Sequence, residues 1–134
     1  MDKTNIMIEF NIVADYFDTD LLTKTIGIKP DEYWNKGDPI SGRDHTQVET
    51  NWGISTGYTE SLDVNEEMEK LISRLKSKVK ELITFKDKYH VDYVFCAVIN
   101  IKNNQSPAIY LTEKVINFLS LISAFFAIDL YIYS

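Results

Sequence analysis

The chain has 134 residues, 45% of them hydrophobic and 25% charged, with a formal net charge of −6. That length fits one domain (1–134) with a single sizeable core, and the mixture is globular rather than disordered. The acidic balance repels nucleic acid and argues against a general DNA or RNA binder.

The charge is unevenly spread. Residues 1–69 hold 15 acids against 5 bases, whereas residues 70–102 hold 3 acids against 8 bases. The opening MDKTNIMIEF lacks the basic start and continuous apolar run of a signal peptide. The apolar stretch Ile116–Tyr133 is interrupted by Asn117, Ser120, Ser123 and Asp129. A membrane span needs about 20 largely apolar residues, so this stretch reads as a buried helix followed by a strand. The lone cysteine, Cys96, excludes an intrachain disulfide and suits a reducing cytoplasm, the expected location.

Ile6, Ile8, Phe10 and Ile12 alternate with Asn5, Glu9 and Asn11, which predicts a half-buried strand over Ile6–Ala14. A helix follows, with Asp18 or Thr19 as N-cap, Leu21, Leu22 and Ile26 inside it, and Gly27 as its left-handed terminator. Pro30 blocks any continuation. Residues 28–47 read as a long irregular stretch, which in a compact domain is either functional or misassigned. Val48–Tyr58 predicts a second strand. Val64, Met68, Leu71, Ile72, Leu75, Val79, Leu82 and Ile83 then form a helical stripe of over five turns. Asp63 with Glu66 suggests a capping box. Acids at the start of this helix and lysines towards its end suit the helix dipole, which explains the charge asymmetry structurally. A local phosphate patch is the competing explanation.

Val91–Ile101 is apolar on both faces and belongs in the middle of a sheet. Lys102–Pro107 is a turn cluster, and Ala108–Leu111 is expected to pair back as a short hairpin partner. Thr112 caps a third helix carrying Val115, Ile116, Leu119, Ile122 and Phe126. Ile128, Leu130 and Ile132, alternating with Asp129, Tyr131 and Tyr133, close the chain as a strand. The expected order is β-α-β-α-β-β-α-β. It describes an α+β two-layer sandwich, a mostly antiparallel sheet of about five strands with helices on one face.

The segments GIKPDEYWNKGD (27–38), NWGISTGY (51–58) and AIDLYIY (127–133) form a combined pattern. With the long amphipathic helix between them, they resemble a family of small, mostly bacterial proteins known as a domain of unknown function. The shared positions are Gly27, Ile28, Pro30, Trp34, Gly37, Asp38, Trp52, Asp129 and Tyr131. The resemblance spans nearly the whole chain. It implies the α+β architecture and assigns no catalytic residues.

Catalytic chemistry finds little support in the residues. Asp44-His45-Thr46 are neighbours, whereas triads are assembled from separated positions, so His45 reads as an exposed loop histidine. His90 sits at a helix-to-strand junction and reads as a helix-terminal residue. Cys96 lies mid-strand without an activating base and reads as a buried structural thiol. Two histidines and one cysteine form no zinc spacing. Asp15, Asp18 and Asp20 have the chemistry to hold a hard cation, but helix capping and turn preference explain them equally. There is no phosphate loop and no dinucleotide fingerprint, so no metal or cofactor is expected.

The 32–52 loop is the best candidate site. Gly37 and Asp38 supply a turn, and Pro39 pushes Asp38 towards extended backbone. One reading has Trp34 and Trp52 covering the edge of the core, each indole N–H seeking an acceptor. The other makes Tyr33, Trp34, Asp38, Arg43, Asp44, His45 and Trp52 a recognition surface, since Trp and Tyr dominate binding hot spots. The leading functional expectation is a non-enzymatic protein-interaction module, in its most specific form the immunity partner of a basic bacterial toxin. The alternative is a small-molecule-binding or enzymatic domain with a pocket between the 28–47 loop and the sheet, using His45, Asp38 and Arg43. A homodimer through the sheet, by way of the C-terminal strand, is a further expectation. Neither a nucleic-acid nor a membrane partner is expected.

Overall fold

Alternation in the first strand produces the element that organises the rest. A computed structural model describes residues 2–133. The elements are β1 (Asn5–Ala14), α1 (Thr19–Ile26), β2 (Glu32–Trp34), β3 (Thr50–Ser55), β4 (Thr59–Glu60) and α2 (Val64–Leu75). They continue through a 3₁₀ turn (Lys76–Lys78), α3 (Val79–Tyr89), β5 (Asp92–Ile101), α4 (Glu113–Leu121) and β6 (Phe125–Ile132).

The sheet runs β2-β3-β1-β5-β6, with β4 pairing the start of β1. Every pairing is antiparallel except β5–β6, which is parallel. The α+β arrangement read from the sequence therefore holds, with six strands rather than about five. In register, Phe10 lies between Ile54 and Phe95, and Ile12 between Trp52 and Tyr93. These side chains are all buried, with the Phe10 and Phe95 rings 4.6 Å apart. Each such side chain contributes about 1.5–3 kcal/mol by leaving water. Tyr93 also donates a 2.6 Å hydrogen bond to the Leu82 carbonyl, tying the sheet to α3.

The caps of α1 follow the expectation. Asp18 accepts from the Leu21 N–H, and Gly27 has φ 75°, a conformation that costs glycine nothing sterically. At α2 the capping box is only half made. Asp63 accepts from the Glu66 N–H, but the Asp63 N–H goes to the Ser61 hydroxyl. Thr112 is the N-cap residue of α4, but its side chain does not cap. Its N–H is taken by the Asn65 side chain from the start of α2.

Three expectations are corrected. First, Glu32–Trp34 forms a short strand inside the stretch read as irregular, held by the Asp31 N–H on the Gly53 carbonyl and the Ser55 N–H on the Asp31 carboxylate. Second, the long helix breaks at Lys76–Lys78. A 3₁₀ turn advances about 120° per residue instead of 100°, which re-phases the stripe. Leu82 and Phe85 consequently point inward, and Ile83 is exposed rather than in the stripe. Third, Ala108–Leu111 is no hairpin partner. Both edges of β5 are taken, by β1 and β6, and Ala108 instead exchanges backbone hydrogen bonds with Leu62 and Val64. The turn before it is as read, with Asn103 and Asn104 at positive φ.

Gly53 marks a close approach rather than a turn. A Cβ there would meet the Asn11 side-chain oxygen on the face the helices leave bare, and Asn11, whose amide is the free end of its side chain, would have to rotate aside. We expect Gly53→Ala to change stability by less than about 1 kcal/mol in denaturant melts, with Asn11→Ala in the same chain removing any loss. A loss of several kcal/mol would mean that Asn11 is held in place. Separately, Trp52 is fully buried and its indole N–H donates to the Thr23 hydroxyl at 2.9 Å. Thr23→Val strands that donor and is expected to cost about 1–3 kcal/mol in the same assay.

Candidate interaction surface

Alternation along β1, β2, β3 and β5 decides which side chains reach the bare face of the sheet. Strand register places Glu32 beside Gly53 and Asn11, Trp34 beside Asn51, and Glu9 between Ser55 and Cys96. Asp129 enters from β6 opposite Val98. With no side chain on Gly53, the face has a hollow of about 150 Å³ lined by Met7, Glu9, Asn11, Asp31, Glu32 and Ser55.

The electrostatics of the hollow are one-sided. Burial, then the charges of Glu32 and Asp129, raise the Glu9 carboxyl above its ordinary range. Burial, with Glu9 and Asp129, likewise pushes the Cys96 thiol up, so it stays protonated at neutral pH. Cys96 is half-buried on this face rather than sealed in the core as expected from sequence. Tyr131 donates to Asp129 at 3.0 Å, which raises the phenol. The ion pairs among the described residues are Lys36–Asp15 and Lys70–Glu67, so no cation is paired with Glu9, Glu32 or Asp129.

Next to the hollow, the segment between β2 and β3 folds into an irregular hairpin. The Gly37 N–H reaches the Gln47 carbonyl, the Gln47 N–H the Asp38 carbonyl, and the Ile40 N–H the His45 carbonyl. The Asp38 carboxylate accepts from the Asn35 N–H at 2.8 Å, which fixes the Gly-Asp-Pro turn. Arg43, Asp44 and His45 lie exposed at its tip. Lys36 reaches back to Asp15 and sits 5.2 Å above the exposed Tyr16 ring.

The residues picked from the loop are thus divided among different environments. Trp52 is a core residue and offers no contact surface, which corrects its place among the anchors. Tyr33, in register with Trp52, is exposed on the helix side, whereas Trp34 turns to the bare face. The Trp34 indole N–H is buried with no acceptor among the described residues. Asp38 is absorbed in turn structure. Glu9, Asp31, Glu32 and Asp129 were missed. The polar phase of β1 was visible in the sequence, but strand order was needed to bring Glu32 and Asp129 to it. The acids at the β1–α1 turn serve local structure: Asp18 caps α1 and Asp15 faces Lys36. A groove of about 350 Å³ lies elsewhere, between α1 and α3, with Leu21, Phe85 and Tyr89 among its lining residues. No helix among the described residues is long and apolar enough to cross a membrane.

A two-layer α+β protein with one bare, acidic sheet face is the class these features define. The chain belongs to the family described as a domain of unknown function, DUF4279, whose model matches residues 3–133. Searches among curated proteins and among solved structures each found no match.

Because ionised Glu9 is disfavoured in the folded state, it lowers stability as pH rises from the unfolded carboxyl value through the raised folded one. Glu9→Gln is therefore expected to raise the melting temperature at neutral pH. The gain should vanish below the ordinary glutamate value of 4.5, where both forms are neutral. An equal gain at both pH values would mean that charge is not its source.

Proposed function

We propose that the chain is a non-enzymatic protein-interaction module of the cytoplasm. It binds a basic protein through the bare acidic face and the adjoining hairpin. In its most specific form it is an immunity protein that neutralises a basic bacterial toxin. The observation that carries this reading is Glu9, half-buried and pressed by Glu32 and Asp129 with no cation beside it. A lysine or arginine from a partner seated in the hollow over Gly53 would relieve that repulsion. Trp34 supports the same reading, because an acceptor brought by a partner would satisfy its stranded N–H. Exposed Arg43, Asp44 and His45 at the hairpin tip border the contact.

The test is capture from the source strain by the tagged chain, with the bound protein identified and its affinity measured at two salt concentrations. The expected result is a basic protein whose binding weakens with salt and falls at least roughly tenfold with Glu32→Lys. Capture of no basic protein, or equal binding by Glu32→Lys, overturns the reading. For the immunity form, the captured protein should arrest growth when expressed alone and not when co-expressed with the chain. A harmless captured protein would retain the interaction reading and remove the toxin.

A further inference from the structure

The two edges of the sheet are finished differently. At one, β2 is three residues long and runs into the hairpin. At the other, β6 presents eight residues and, among the described residues, pairs with β5 alone. Natural edge strands are blunted by lysine, proline, bulges or brevity. β6 has none of these, and Asp129 is its one charge.

Its side chains are equally unprotected. Ile128, Leu130 and Ile132 share a face with Ala97, Ile99 and Ile101, which are buried under the helix layer. The layer stops short of β6, so the three aliphatics are 45%, 46% and 70% exposed. Phe125, Tyr131, and Ile116 and Leu121 of α4 are exposed nearby. These side chains leave the β6 edge apolar and uncovered on both faces of the sheet.

The backbone and the sequence of β6 point to the occupant. The Tyr133 N–H donates to the Ile101 carbonyl, so odd-numbered residues turn towards β5. Ile128, Leu130 and Ile132 therefore aim their N–H and C=O groups outward, ready for one more strand. The segment Ile128-Asp129-Leu130-Tyr131-Ile132 is self-complementary about Leu130. In an antiparallel pair centred there, Leu130 faces Leu130 of a second copy and Ile128 faces Ile132. Asp129 then faces the Tyr131 hydroxyl, a donor it already uses within one chain. A centre at Asp129 would oppose like charges, and one at Ile128 would set Asp129 against Ala127.

We propose that two copies of this chain dimerise through β6, antiparallel and centred on Leu130, joining their sheets into one continuous sheet. The contact is on the opposite sheet edge from the hairpin and does not rest on the function proposed above. Sedimentation equilibrium should show a dimer, and Leu130→Lys should raise its dissociation constant at least roughly tenfold while leaving the thermal melt of the monomer intact. In a Cys96→Ser background, Leu130→Cys should form an intermolecular disulfide, since hydrogen-bonded antiparallel pairs hold Cα atoms about 5.5 Å apart. Ile128→Cys should not, because its symmetry mate lies roughly 13 Å along the strand. A strict monomer at high concentration overturns the proposal, as does a dimer indifferent to Leu130→Lys. Cross-linking at Ile128→Cys and not at Leu130→Cys overturns the register. Capture of a different protein by β6 in a monomeric chain overturns the choice of occupant.

Discussion

Phe10 and Ile12 sit at the crossing point of almost everything in this protein. Trp52 and Ile54 flank them from β3, Tyr93 and Phe95 flank them from β5, and all six side chains are buried. The hydrophobic row works only because β1 is hydrogen-bonded along both edges, so neither register can slip by one residue without turning the row to the other face. Helix placement follows from it: Tyr93 binds the Leu82 carbonyl of α3, and Trp52 binds Thr23 of α1. Two hydrogen bonds from aromatic side chains thus locate two helices on the sheet.

The same register that fills the core also sets the chemistry of the bare face. Each buried residue of β1 has polar neighbours in sequence, and alternation sends Asn5, Glu9 and Asn11 to the side without helices. That face tolerates Glu9 because it is not sealed; partial burial, then the charges of Glu32 and Asp129, raise its carboxyl above the ordinary range. Glu32 and Asp129 both act on Glu9 there, and the proposed interaction would relieve that repulsion.

Much of the fold is legible in the sequence where one local rule dominates. The alternation of β1, the Asp18 and Gly27 caps, the doubly apolar β5 and the turn at Asn103–Asn104 each follow from one period or one conformational preference. The misreadings share a different cause, competition for partners at long range. Ala108–Leu111 has the look of a strand, but β6 occupies the edge it would need. Ile83 keeps the helical step, but the 3₁₀ turn rotates it out of the core. The loop's aromatics were visible as a cluster, yet Tyr33, Trp34 and Trp52 end on different surfaces because adjacent residues of a strand point to opposite faces. Of the acids around the hollow, Glu32 and Asp129 are far apart in sequence and meet only through strand order.

The pairing of β1 with β5 has a consequence for how the protein is made. Asn5 pairs with Asn100 and Ile12 with Tyr93, so the central ladder joins segments from distant parts of the chain. During synthesis, β1 through α3 emerge from the ribosome before β5 exists. In that interval the apolar face of β1 has β3 on one side and nothing on the other. Contacts this distant in sequence also fold slowly. The second edge of β1 therefore stays unpaired until β5 reaches it, and β6, later still in the chain, closes the far edge of β5 last.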